Sequence, residues 1–202
     1  MPNFDPLTYR YSSRRNVVYA KNGVCCTSVP LGAQVGLDVL KNGGNAVDAA
    51  VAMAGAMPLL EPTGNGLGSD CFALVWIEKE KKLYGLNASG VAPMALSADE
   101  VHAKGFDAVP EEGWLPTMVP GAPAGWAARN ARFGTKPLSE LFAPAISYAE
   151  NGYAVPVNVG KLWARDSKRI ARVMAQDPAP YEYWWKSFMK PDGSPYRAGD
   201  VF

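Results

Sequence analysis

The chain holds a single histidine, His102, and three cysteines, Cys25, Cys26 and Cys71. Neither set has the recurring Cys/His spacing of a zinc site, so no metal is called for. A histidine general base needs a positioned partner; nothing near His102 supplies one, and it is expected on the surface of a polar helix. An odd cysteine count with two neighbours adjacent argues against a disulfide framework. Flanked by Val24 and Phe72, the thiols are expected to be buried, reduced and cytoplasmic. Charge bias is absent as well. Lys plus Arg number 20 against 19 for Asp plus Glu, which leaves no field to recruit nucleic acid or an anionic membrane. No apolar run reaches the roughly 20 residues that span a bilayer. The start, Met1 to Asp5 followed by Tyr9, Arg10, Tyr11, Arg14 and Arg15, lacks the apolar core of a secretory signal.

What is present is a globular composition, 48% apolar and 19% charged over 202 residues. Residues 1–22 read as an irregular lead and 23–202 as one domain. Residues 23–28 form a short β-type run, with Ser28 as N-cap of a helix over 31–41 that ends at Gly43-Gly44. Asn45 caps the next helix, with Asp48 three residues on in a near capping box. Its body, before Pro58, is Ala, Val, Met and Gly apart from Asp48, so it must be buried on all sides. Residues 71–77 and 82–88 read as a hairpin around a charged turn. Ser97 caps a short helix carrying Asp99 and Glu100. Residues 105–122 form a long loop. Helices follow from Pro123 to Gly134, from Ser139 to Asn151 with a bend or restart at Pro144, and over 157–175 with an apolar face. Beyond 177, prolines break the pattern and no closing element is visible. The fold class is α+β. Two or three strands are a narrow centre for this much helix, so the chain is expected to be part of a larger fold.

Chemistry is hard to locate from residue types alone. The stretch E-P-T-G-N-G-L-G-S-D-C-F, residues 61–72, resembles a dinucleotide loop, but Ser69 stands where the third glycine is required. It also follows a helix and opens a strand, the reverse of the order that aims a helix N-terminus at phosphate. No G-x-x-x-x-G-K-[ST] motif exists. The basic stripe Lys161, Arg165, Lys168, Arg169 and Arg172 reads as a solvated helix face. The aromatics Tyr181, Tyr183, Trp184, Trp185 and Phe188 form either a binding platform or a packing surface.

Five segments carry more. P-L-G-A-Q-V-G-L-D-V-L-K-N-G-G-N-A-V-D-A-A-V-A, E-P-T-G-N-G-L-G-S-D-C-F-A-L-V-W, L-N-A-S-G-V-A-P, V-P-G-A-P-A-G-W and L-F-A-P-A-I-S-Y-A-E-N-G-Y-A-V resemble the gamma-glutamyltranspeptidase family in order and spacing. G-S-D-C-F-A-L-V-W is similar to an intracellular branch that includes cephalosporin-acylase-like members. The resemblance implies part of an N-terminal nucleophile hydrolase, an αββα sandwich of two packed sheets. It implies a precursor that cleaves itself to expose a threonine, which moves the acyl group of a gamma-glutamyl amide to water or an amine, as in glutathione metabolism. The family needs no cofactor.

The same resemblance places that threonine beyond Phe202, so the chain is expected to match the front of the large subunit, to be inactive alone, and to need a C-terminal segment or small subunit as partner. The family's carboxylate-gripping arginine aligns with Ser89, or in some relatives with Val91. Neither can form that ion pair, which opens a rival reading as a glutaryl or cephalosporin-type acylase; a non-catalytic remnant is a further one. Substrate-contact candidates are Asn87, Ser89, Ser69 and Asp70. The glycines of 64–68 are expected to turn the chain sharply near the substrate pocket, with Ser69 and Asp70 either lining that pocket or serving only the turn.

Overall fold

A computed structural model describes residues 17–202. Residues 17–22 carry no helix or strand; the rest of the expected lead, with the signal-peptide argument built on it, lies outside the described residues. The elements are α1 (Pro30–Lys41), α2 (Ala46–Leu60), β1 (Cys71–Ile77), β2 (Lys82–Ala88), α3 (Ala98–Ala103), α4 (Ala122–Phe133), α5 (Leu138–Asn151), α6 (Val157–Met174) and α7 (Glu182–Phe188).

The expected strand over 23–28 does not form, because the segment has no partner to share a ladder with. Burial alternates along it instead, so Cys25 is half-buried while Cys26 is exposed. With Cys71 also half-buried, the expectation of fully buried thiols is corrected, although all three cysteines are free. Ser28 does not cap α1 either. Its hydroxyl donates to Glu61 at 2.7 Å, and Val29 takes the cap position ahead of Pro30. The helix end is as expected: Gly43 at φ 81° lets the Gly43 and Gly44 N–H groups return to Leu40 and Val39 carbonyls.

α2 is the centre of the molecule. The Asn45 side chain accepts from the Val47 and Asp48 N–H groups, and Asp48 accepts from the Asn45 N–H in return. Helix α1 lies along one side of α2, α5 along another and α4 along a third. Small side chains permit this crowding: the Phe142 ring of α5 lies where a Cβ on Gly55 would stand, 2.5 Å away. Val51, Ala52, Ala56 and Leu60 are fully buried. The helix passes Pro58 and ends at Leu60, beyond the expected stop, because buried Leu60 anchors its last turn. α5 likewise runs through Pro144 as one helix. Beyond α6 the chain does close on itself, against expectation: α7 packs Phe188 near Trp163 of α6, and Tyr153 and Phe202 exchange both backbone hydrogen bonds at 3.0 and 3.1 Å. The aromatic cluster is therefore largely internal packing. The α6 basic stripe is exposed throughout.

β1 and β2 pair antiparallel, with Cys71 opposite Ala88 and Ile77 opposite Lys82. Cys71, Ala73, Val75, Tyr84, Leu86 and Ala88 turn toward the helices, where Tyr84 meets Phe133 of α4 at 5.1 Å between ring centres. The opposite face carries Phe72, Leu74 and Trp76, which are 61%, 77% and 54% exposed, with Leu83 across the ladder. Helices thus cover one face of the sheet, and the other face is apolar and bare.

Candidate functional site

The register gathers the candidates at one end of the hairpin. Pairing of Cys71 with Ala88 sets the Ser69-Asp70 lead-in alongside the Ser89 exit, and Asn87 lies opposite Phe72 on the bare face. Asn87 accepts the Ser89 N–H at 3.0 Å, which fixes the turn out of β2. The Ser69 hydroxyl donates to the Gly66 carbonyl at 2.6 Å. Its own carbonyl accepts the Gly121 and Ala122 N–H groups at 3.2 and 2.9 Å, which docks the start of α4 onto the loop. The Val119 N–H reaches the Val91 carbonyl at 3.0 Å. Two sequence motifs far apart in the chain, around Gly90 and around Gly121, therefore meet backbone to backbone beside Ser89. All four candidates are exposed, and none donates to or accepts from another except within the Asn87–Ser89 turn.

The glycines before β1 behave differently from expectation. None of Gly64, Gly66 and Gly68 takes a left-handed φ. A Cβ on any of them would meet nothing closer than 3.9 Å. The segment turns, but its turns do not require glycine. Alanine at 66 or 68 is therefore expected to leave stability unchanged or slightly raised, by about 0.4–1 kcal/mol, through loss of unfolded-state freedom. Thermal unfolding of the two variants checks this.

The long loop 105–121 is pinned at its middle. Tyr181 donates its hydroxyl to Glu112 at 2.7 Å and accepts the Gly113 N–H at 2.9 Å, and Arg169 of α6 pairs with the same carboxylate. The Tyr181 hydrogen bond, with Arg169, holds the Glu112 carboxyl below its ordinary range. His102 is exposed in α3. Sequence reasoning missed Arg129, which α4 places beside the Ser69-Asp70 lead-in to β1 from the helical side, 3.6 Å from the Cys71 thiol. Nothing in W-A-A-R-N-A-R sets it apart from Arg132; only the packing of α4 on β1 does.

The hairpin, with helices on one face and an open apolar second face, superposes on solved structures of the acylase and gamma-glutamyltranspeptidase fold, the αββα sandwich of N-terminal nucleophile hydrolases. The gamma-glutamyltranspeptidase profile matches residues 32–202, and the chain belongs to that family. It is 50% identical to the cephalosporin acylase of Bacillus halodurans, with a TM-score of 0.87 over 98% of this chain and 36% of that one. Against the gamma-glutamyltranspeptidase of Helicobacter pylori it is 31% identical, with a TM-score of 0.82 over 93% of this chain and 52% of that one. A glutathione hydrolase proenzyme of Bacillus subtilis (strain 168) is 29% identical over 195 residues, 95% of this chain and 32% of that protein. The chain spans a quarter to a third of the length of the curated relatives it matches. Among the described residues no helix is long and apolar enough to cross a membrane.

Proposed function

We propose that this chain is the front portion of an amide hydrolase or acyl transferase whose catalytic threonine is supplied by polypeptide outside these 202 residues. One observation carries the reading: a two-stranded sheet presents Phe72, Leu74 and Trp76 to solvent as a continuous apolar face. Leaving these three side chains more than half exposed forgoes about 1–2 kcal/mol each, a cost that a second sheet packed about 10 Å away would remove. The reactive hydroxyl would arrive with that second sheet, at the end of the hairpin where Ser69, Asp70, Asn87 and Ser89 converge. In this arrangement those four residues line the substrate side of the site and contribute no nucleophile.

The substrate is an acyl amide. By the family resemblance the carboxylate-gripping arginine falls at Ser89 or at Val91, and neither side chain carries a charge. That favours, as a second reading, an acylase acting on acyl groups such as glutaryl over strict gamma-glutamyl selection, in line with the 50% identity to a cephalosporin acylase. Self-cleavage of a precursor fits the proenzyme relatives. Three free thiols support a reducing, cytoplasmic setting.

The test is turnover of a gamma-glutamyl anilide and a glutaryl anilide by the purified chain, alone and co-expressed with the remaining portion of the Bacillus halodurans acylase. Silence alone and hydrolysis on co-expression are expected. Hydrolysis by the chain alone would overturn the reading, and silence in both arms would favour a non-catalytic remnant.

A further inference from the structure

Arg129 is a cation without a counterpart. Its neighbour on α4, Arg132, lies 4.4 Å over the Tyr84 ring. Arg129 has only the Cys71 sulfur at 3.6 Å, and no carboxylate among the described residues comes within 4.0 Å of it. Its Nε is buried with no acceptor, one of two such side-chain atoms among the described residues; the other, the Thr63 hydroxyl, belongs to the glycine loop beside it. A buried donor left unpaired costs about 1–3 kcal/mol, more for a charged group, so native structures seldom keep one without a use.

The guanidinium borders a cleft of 310 Å³ whose walls are Ala54, Met57 and Pro58 of α2, Trp126 of α4, and Asp70. Asp70 shares the cleft without pairing to Arg129, so it leaves the cation free and sets a second condition. Phosphate would bring its whole charge up against Asp70 and leave the apolar α2 wall uncovered, whereas a carboxylate on an apolar stem would satisfy the arginine and lie along that wall. We propose that Arg129 binds the carboxylate of a ligand whose apolar stem occupies this cleft. The proposal rests on the amide-hydrolase reading only in identifying that carboxylate as the free end of the acyl group. It names a residue on the helical side of the hairpin, away from Ser89.

The experiment titrates the ¹⁵N-labelled chain with glutarate, inorganic phosphate and glutaramide at constant ionic strength. It follows the Arg129 Nε–H resonance, assigned by its loss in Arg129→Met, and the Trp126 indole N–H, assigned by its loss in Trp126→Phe. Glutarate is expected to shift both resonances saturably, and phosphate and glutaramide to shift neither. Arg129→Met is expected to weaken glutarate binding, read at Trp126, by about tenfold or more, with an unchanged or higher melting temperature because an unpaired donor is removed. Asp70→Asn is expected to tighten glutarate binding by removing a like charge. Resonances that follow ionic strength alone, an equal response to phosphate, or an Arg129→Met variant that binds glutarate like its parent would overturn the proposal. Because the readout is binding and not turnover, these outcomes are independent of whether the assembled protein hydrolyses amides.

Discussion

Replacing Asp48 by alanine is expected to destabilise the chain by about 4 kcal/mol and to lower its melting temperature by roughly 10 °C. The side chain is fully buried. One carboxylate oxygen accepts the Thr135 and Lys136 N–H groups at 2.9 and 3.2 Å; the other accepts the Asn45 N–H at 2.8 Å and the Thr135 hydroxyl at 2.5 Å. Alanine would break the capping box of α2 and unfasten the connection between α4 and α5 in one step, leaving buried donors without acceptors. Asparagine keeps the shape and part of the accepting capacity, so about half the loss is expected for Asp48→Asn.

The effect carries a pH signature. Burial pushes the Asp48 carboxyl up, but the hydrogen bonds from Thr135, Asn45 and Lys136 outweigh it and hold the group below its ordinary value of 3.8. A carboxyl whose folded value is depressed stabilises the fold fully above the unfolded value and loses that contribution as pH falls through the folded one. The gap between parent and Asp48→Asn is therefore expected to be constant at neutral pH and to close below pH 3.8. Chemical denaturation across that range reads it directly.

Gly90→Ala is expected to match or exceed that loss, and at the site itself. Gly90 has φ 80°, where a Cβ alone costs about 1 kcal/mol. That Cβ would also stand 2.0 Å from the Val119 carbonyl oxygen. On the facing segment a Cβ at Gly121 would stand 2.1 Å from the Ala88 carbonyl oxygen. The two stretches must separate to admit either side chain, releasing the Val119–Val91 bond and the docking of α4 on Ser69. About 4 kcal/mol or more is expected for each variant. The exit of β2, with Ser89, should lose its protection from hydrogen exchange before α2 does. Gly68→Ala, with open space around it, is the control.

The sequence was legible where its signals are local. Asn45 and Asp48 announced their cap three residues apart, the Gly43-Gly44 pair stopped α1, and the unbroken apolar run of α2 showed that it would be surrounded. The hairpin followed from two apolar segments around Glu78–Lys81. Family resemblance supplied the sandwich, which periodicity in a chain with two strands could not. Misreadings arose where a distant partner decides the outcome. Ser28 gave its hydroxyl to Glu61, 33 positions away, in place of capping a helix. Residues 23–28 have strand-forming side chains and no strand to pair with. Asp48 looked like a cap and turned out also to fasten Thr135 and Lys136. Gly90 and Gly121 lie in separate motifs whose contact no spacing rule connects, and Arg129 is distinguished from Arg132 only by what each faces after folding.

A second sheet packed on the Phe72, Leu74 and Trp76 face would make that face half of a core. A cysteine introduced by Leu74→Cys, in a background with the three native cysteines changed to serine or alanine, tests it through the rate of thiol labelling. The chain alone is expected to label at the rate of a free thiol and to be shielded once co-expressed with the remaining portion of the Bacillus halodurans acylase. A thiol at 74 that is already shielded in the isolated chain, or that labels equally fast after co-expression, would contradict the account.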